Sequence, residues 1–233
     1  VDPAKTYYSM AYVVKSRVSF ATETQISIYG ATKIRELSDL SACYIRSNSF
    51  EAAVKLKKLV LGNTTPGYTN PQLTGLSIGS NKMLEELDIR NCTALQGVLN
   101  LSSYVGLKKL YAEGTKISGV VFAENGKVEL AHLPDNYLMS LVMKNLNRLD
   151  SEGFDCSLDT LTDLTLQGGL LDAKSIVSDT KDTLTTLKLH RINWTLANQD
   201  LLDDMYALAS SEVTGYVYLP EIRRRDLAKF NHL

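Results

Sequence analysis

A short leucine pattern recurs along this chain of 233 residues. The pattern is L-x-x-L-x-L, in which isoleucine, alanine or methionine can take the last position. Steps of 23 residues separate the middle leucines Leu87 and Leu110, and also Leu141, Leu164 and Leu187. Steps of this size fall in the range of leucine-rich repeats, about 20–29 residues. The seven copies are Leu56-Leu59-Leu61, Leu73-Leu76-Ile78, Leu84-Leu87-Ile89, Leu107-Leu110-Ala112, Leu138-Leu141-Met143, Leu161-Leu164-Leu166 and Leu184-Leu187-Leu189.

The L-x-L step predicts a short strand, because alternate side chains on a strand point to the same side. The first leucine of each copy is expected to pack from the incoming turn. Asn81, Cys92 and Thr115 follow three residues after a strand, where the chain bends and loop backbone groups need partners. Stacked copies would form a parallel sheet over a leucine-filled interior, which is a solenoid.

An amphipathic helix is the competing interpretation, since the leucine spacing partly matches a helical period. Glycines in "LTGLSIGSN" and "LTLQGGLLD" stand where helix interiors disfavour them. Threonine, serine and isoleucine between the leucines favour strands. Two steps are irregular, 11 residues from Leu76 to Leu87 and 31 from Leu110 to Leu141. The longer step contains Val128 and Leu130, which we interpret as a degenerate strand.

The two ends of the chain depart from the leucine pattern. Residues 1–50 contain the alternating segments "AYVVKSRVSF" and "QISIYG", which predict an N-terminal β cap and a lead-in to the repeats in 51–197. Residues 198–233 predict a C-terminal cap of helix, strand and helix, with "EVTGYVYLP" as the strand. Such caps cover the apolar ends of a solenoid. The predicted fold is therefore mainly β with some α, a capped leucine-rich-repeat-like solenoid with a parallel β-sheet.

Composition narrows the classes of function. A net charge of -1 gives no support to nucleic-acid binding, which usually requires a basic surface. No apolar run approaches the roughly 18 residues of a membrane-spanning helix, so no membrane insertion is predicted. Cys43, Cys92 and Cys156 are too far apart to suggest a disulfide framework or a zinc site, and we expect them to be small buried residues. The start at Val1 suggests a processed product or a piece of a longer chain.

One literal catalytic motif is present, "GLSIG" from Gly75 to Gly79. This hydrolase signature requires its serine on a sharp turn between a strand and a helix. Ser77 instead falls inside a predicted repeat strand, and no helix fits after it. His132, His190 and His232 have no metal-ligating residue at a suitable spacing. The sequence therefore predicts no enzyme, no bound metal and no cofactor.

Residues that alternate with the buried leucines are expected to face outward on the strands. Charged, aromatic and amide groups lined up on a strand ladder can form an extended binding face. An ordinary polar sheet face explains them equally well. A basic run near the C-terminus is a further candidate for docking an acidic partner, although a solvated helix start is its default interpretation. The candidates for partner contacts are Asp88, Arg90, Tyr111, Glu113, Lys144, Gln167, Lys188, His190, Arg223, Arg224 and Arg225.

Longer stretches from about Ile26 to Leu233 resemble a known group of proteins. They include "QISIYGATKIRELSDLSA", "LKKLVLGN", "LTGLSIGSNKMLEELDIRNCTALQGVLNLSSYVGLKKLYAEGTKISGVVFAENG", "AHLP", "TTLKLHRINWTL" and "GYVYLPEI". They resemble the irregular leucine-rich-repeat region of large virion proteins of tailed bacteriophages, which is one module of a tail or capsid-vertex structural protein. The most specific part comprises Ile192–Leu196, Leu201–Met205 and Gly215–Pro220. The chain ends at Leu233, where longer relatives continue.

The resemblance implies a structural module of a virion, in contact with other virion proteins in multiple symmetric copies. It has no catalytic residues to transfer. The alternative is a host-recognition module, extracellular or on a cell surface, whose strand face binds a glycan or a surface receptor. A carbohydrate-acting enzyme is a weaker third hypothesis, because Asp88 and Asp163 are expected to lie several coils apart.

Overall fold

A computed structural model describes residues 31–38, 40, 45, 50–65, 69–79, 81–171, 183–191 and 214–218. Within this part of the chain the architecture is two parallel β-sheets of six strands each. Sheet A contains β1 (Glu36–Leu37), β2 (Lys58–Val60), β3 (Glu86–Asp88), β5 (Lys109–Tyr111), β7 (Leu130–His132) and β9 (Phe154–Asp155). Sheet B contains β4 (Gln96–Leu101), β6 (Lys116–Phe122), β8 (Ser140–Lys144), β10 (Asp163–Gln167), β11 (Thr186–His190) and β12 (Thr214–Tyr218).

From β3 to β10 the chain alternates between the two sheets, so each coil adds one strand to each of them. All strand pairs are parallel, and each strand pairs with the strand of the neighbouring coil. The fold is therefore a β-solenoid of about six turns. In the described part of the chain the sole helical segment is the short 3₁₀ turn Ala31–Lys33.

The 23-residue steps of the sequence correspond to the register of both sheets. Leu141, Leu164 and Leu187 are direct partners across β8, β10 and β11. On sheet A, Leu87 pairs with Leu110 in the same way. These leucines lie in one hydrophobic core enclosed between the sheets. The prediction that alternate leucines point inward to a common interior is confirmed.

The distribution of the repeats over two sheets was not expected. The copies centred on Leu59, Leu87 and Leu110 belong to sheet A, whereas those centred on Leu141 and Leu164 belong to sheet B, as does the copy centred on Leu187. The 31-residue step contains two further copies of the pattern in which other apolar residues replace leucine. They are Ile117-Val120-Phe122 on β6 and Val128-Ala131-Leu133 on β7.

The degenerate strand suggested by Val128 and Leu130 is present as β7, although Leu130 itself is only half-buried and faces outward.

The strand expected in the copy Leu73-Leu76-Ile78 is not formed. Leu73 and Ile78 are buried, but the segment 73–79 forms no strand. The apolar spacing is therefore sufficient to place these side chains in the core without producing a hydrogen-bonded ladder.

Polar side chains inside the turns join successive coils. Asn81 is buried and donates its amide to the carbonyl oxygens of Ala53 and Leu56, at 3.0 and 2.7 Å. Cys92 makes a longer contact with the Leu61 carbonyl of the preceding coil, whereas Thr115 donates its hydroxyl to the Ala112 carbonyl of its own turn at 2.8 Å. The predicted role of the positions after the strands is thus confirmed.

Asn70 was not anticipated and belongs to the same group. It is fully buried and donates to the carbonyls of Leu40 and Leu61, both at 2.7 Å, while its side-chain oxygen accepts from the Ile45 amide. Buried carbonyl groups without donors are costly, so these amides are a structural requirement of the solenoid.

Close contact between coils explains one glycine. A methyl group at Gly62 would overlap the backbone nitrogen and oxygen of Arg90 in the next coil. We expect Gly62→Ala to lower the free energy of unfolding by about 1–3 kcal/mol through overpacking. Gly75 is the matched control, because an added Cβ there meets nothing within 4 Å. Urea unfolding of the two variants tests this, and equal effects would contradict the packing account.

Several predictions fall on residues outside the described part of the chain. These are the N-terminal cap strands before Gly30 and the helices predicted at 198–210 and 221–233. The predicted strand in "EVTGYVYLP" is confirmed as β12, which pairs with β11 as a further strand of sheet B. Within the described residues, no helix has the length and apolar character required to span a membrane. The division of the chain at residues 50 and 197 stays a prediction.

Candidate functional site

The candidate contact residues on the strands do not share one face. Asp88, Arg90, Tyr111 and Glu113 lie on or directly after strands of sheet A, and Lys144, Gln167, Lys188 and His190 lie on strands of sheet B. Both sheets direct their leucines into the same core, so their outer faces lie on different sides of the solenoid. The expectation of one continuous strand face is therefore wrong, since the chain changes sheets every half coil.

A polar cluster occupies the outer face of sheet A. Asp88, Tyr111 and His132 are register partners on β3, β5 and β7. Arg90 donates from Nη2 to Oδ2 of Asp88 at 2.6 Å, and its guanidinium lies 4.4 Å from the Tyr111 ring centroid. The His132 and Tyr111 rings are nearly perpendicular, with their centroids 5.4 Å apart, and Nδ1 of His132 lies 2.8 Å from Oε1 of Glu113. We call these five residues the sheet A cluster.

The contacts within the sheet A cluster hold its members against one another. Asp88 is only 4% exposed because Arg90 covers it, so the expectation that Asp88 is an exposed contact is wrong. The hydrogen bonds to Asp88 raise the pKa of Arg90 above its ordinary value. Arg90, Tyr111, Glu113 and His132 are half-buried and keep part of their surface open.

Alternating charges run beside the sheet A cluster. Glu85 lies between two lysines, 2.6 Å from Nζ of Lys57 and 2.8 Å from Nζ of Lys108. Lys58 lies 3.1 Å from Glu86 on the neighbouring strand, and Arg148 pairs with a further glutamate in the same way. Each of these pairs joins neighbouring coils, so the charges support the register of sheet A. The hydrogen bonds from Lys108 and Lys57 lower the pKa of Glu85 to about 2.

This arrangement predicts a stability difference that depends on pH. The folded-state pKa of Glu85 lies below its ordinary value of 4.5, so its stabilising contribution is complete above pH 4.5. That contribution is lost progressively as the pH falls toward 2. Glu85→Gln should therefore lower stability at pH 7 by less than about 1 kcal/mol, because the pairs are solvent-exposed, and the difference from the native chain should vanish in acid. Urea unfolding at several pH values measures it. Glu152→Gln, at an exposed position, is the control.

The outer face of sheet B has a different character. Its middle rows consist largely of small or β-branched residues, among them Gly119, Ser140, Val142, Thr165 and Thr186. Lys144, Gln167 and His190 form one row at the ends of β8, β10 and β11, and Lys188 lies one row before them. Lys188 is exposed, whereas His190 is half-buried, contrary to the expectation that it is exposed.

A cleft of ≈ 400 Å³ lies between the segment 73–79 and β4. Ser77 is at this cleft, but its hydroxyl donates to Oε1 of Glu51 at 2.6 Å. Glu51 is the one carboxylate among the lining residues, which include no histidine. Neither the strand expected around Ser77 nor the strand-turn-helix geometry of a nucleophile elbow is found in this segment.

The remaining polar residues form no evident chemical site in the described part of the chain. Burial raises the pKa of Cys92 to about 11 and that of Cys156 to about 12, so both thiols stay protonated at neutral pH. No group of three potential metal ligands was found among the described residues. Cys43, His232 and the run from Arg223 to Arg225 lie outside them.

Sequence reasoning found Asp88, Arg90, Tyr111 and Glu113 but not His132 as a member of the same cluster. His132 lies on β7, whose inward residue is Ala131 and not leucine, so the leucine pattern gave no register for this strand. The signal available in the sequence was the 21-residue step from Leu110 to Ala131.

Comparisons with protein-family models, with curated proteins and with solved structures found no match.

Proposed function

We propose that this β-solenoid is a non-enzymatic protein–protein interaction module, and that it serves as a structural component of a tailed-bacteriophage virion. The virion setting rests on the sequence resemblance, and the leucine-rich-repeat-like character rests on the spacing of the leucines. The interaction role is supported by one observation above all, the sheet A cluster. Its side chains are held by contacts with one another on a rigid strand ladder.

Prior fixation of side chains favours binding to a protein. A side chain that is already ordered loses less conformational entropy when a partner covers it. Arginine and tyrosine are also the residue types most often responsible for binding energy at protein interfaces. Arg90 and Tyr111 stack on each other in the sheet A cluster. We therefore assign the main partner contact to this face.

The opposite face gives the module a second surface. Lys144, Gln167, Lys188 and His190 lie on sheet B, so they face away from the sheet A cluster. A module with two outer faces can lie between two neighbours in a repeating assembly. This geometry is compatible with the multiple symmetric copies that the resemblance implies.

Glycan or receptor binding at a host surface is the alternative. A tyrosine that binds a sugar by stacking needs a free ring face. One face of Tyr111 is covered by the Arg90 guanidinium, and the His132 ring packs nearly perpendicular to the Tyr111 ring, so both neighbours restrict access to it. These contacts favour a protein partner over a glycan on this surface.

The proposal is tested by incorporation of variant chains into the particle. Arg90→Ala and Tyr111→Ala should each reduce incorporation, by about 30-fold if each removes roughly 2 kcal/mol of binding energy. Lys127→Ala, at an exposed position between β6 and β7, is the control and should be incorporated normally. Thermal unfolding of each variant separates lost binding from lost stability.

Two outcomes would reject the assignment. Normal incorporation of both variants would show that sheet A is not the contact face. Normal incorporation combined with lost adsorption of the particle to host cells would establish the adhesion alternative instead.

A further inference from the structure

In the described part of the chain, strand β4 leaves one edge of sheet B unpaired. It is the terminal strand of that sheet, with β6 as its one strand partner among the described residues. Its six residues, Gln96–Leu101, carry no charge, and Val98 is 65% exposed. Edge strands present a row of backbone N–H and C=O groups, and native proteins usually protect such edges with charges, proline or a covering segment.

The cleft next to β4 separates two successive coils. The segment 73–79 lies between β2 and β3 in the chain, so it belongs to the coil that precedes β4. On sheet A, β2 and β3 of these same coils are paired directly. On the side of sheet B, the cleft lies between 73–79 and β4. The coils are therefore in register on one side and open on the other.

The inward-facing side chains of sheet B become more exposed where the sheet reaches this cleft. Val120, Leu141 and Leu164 are register partners in this row, and each is 0% exposed. Leu99 continues the row on β4 but is only half-buried. Leu76, across the cleft, is also half-buried. Two apolar side chains that a further strand would cover are thus left partly open.

We propose that this cleft binds an extended polypeptide segment of a partner protein, which hydrogen-bonds to the free edge of β4 and inserts an apolar side chain between Leu76 and Leu99. The occupant's chemistry follows from the site. Only an extended backbone can satisfy the row of edge donors and acceptors, and side chains at alternate positions would point into the apolar cleft. The site lies on sheet B, so a test of this proposal does not depend on the role of the sheet A cluster.

A synthetic peptide provides the first test. A fluorescein-labelled copy of residues 161–168, "LTDLTLQG", has the strand-forming sequence and inward leucines of β10. Fluorescence anisotropy with the full chain should show saturable binding. The same peptide methylated on alternate backbone nitrogens should bind at least about tenfold more weakly, since two or three hydrogen bonds are lost. Equal affinities of the two peptides, or no binding up to the solubility limit, would overturn the proposal.

Crosslinking locates the bound peptide. Val98→Cys carries a benzophenone label on the edge strand, and Leu170→Cys, another exposed site, is the control. Cys43→Ser is included in both variants. Cys92 and Cys156 are protonated at neutral pH, with pKa values of about 11 and about 12, so the label should react at the new cysteine.

Illumination should join the peptide to position 98 and not to position 170. Equal crosslinking at the two positions would overturn the proposed site. Covalent dimers through position 98 in the absence of peptide would overturn the choice of occupant, because a second copy of this chain would then fill the cleft.

Discussion

Replacing Asn81 with leucine is expected to lower the free energy of unfolding by about 3 kcal/mol, although the two side chains have the same branched arrangement of heavy atoms. Asn81 is buried and donates to the carbonyl oxygens of Ala53 and Leu56, while its own oxygen accepts from the Met83 amide. Leucine would leave the Leu56 carbonyl and the Met83 amide without these partners, and the Ala53 carbonyl would keep only its bond from the Leu56 amide. Each unsatisfied buried group costs about 1–3 kcal/mol.

Urea unfolding monitored by circular dichroism measures this effect. Asn147→Ala is the control, because Asn147 is exposed and its change should stay within about 0.5 kcal/mol. If Asn81→Leu is as stable as the native chain, the buried amides do not hold the coils together. A loss for Asn81→Leu that matches that of the control would lead to the same conclusion.

The leucine spacing alone predicted a parallel β-solenoid, because L-x-L places two side chains on one side of a strand and the 23-residue step repeats this position. It did not predict the two sheets. The 11-residue step from Leu76 to Leu87 is half a coil, but beside steps of 23 residues it was interpreted as an irregularity. The copies on β6 and β7 that would have revealed the alternation use Val120 and Ala131 in place of leucine.

The candidate site was predictable in part. Asp88, Arg90, Tyr111 and Glu113 alternate with buried residues, so the spacing was sufficient to place them outside the core. It could not show that Arg90 covers Asp88, since that contact depends on side-chain conformation. The sequence also did not predict the cleft, because Leu73, Leu76 and Ile78 match the repeat although their segment forms no strand. Whether a segment with this pattern forms a strand depends on hydrogen bonds to a neighbouring strand. The strand across the cleft is β4, and its pairing with β6 shifts register between Gly97 and Val98.

The central claim is that one coil of 23 residues contributes one strand to each of two sheets. Two deletions that both begin after Leu141 test it. Removing residues 142–164 joins Leu141 to Thr165 and deletes one whole coil, because Leu141 and Leu164 are register partners. Removing residues 142–154 joins Leu141, on sheet B, to Asp155, on sheet A, and deletes half a coil.

Circular dichroism and thermal unfolding of the two deletion variants test this claim most directly. The variant that lacks the whole coil should keep its β-sheet spectrum and a cooperative transition at a lower temperature, since solenoid stability is roughly a sum over repeats. The half-coil variant loses fewer residues but should lose the native spectrum, because its later strands are directed to the wrong sheet. A folded half-coil variant beside an unfolded whole-coil variant would contradict the two-sheet solenoid.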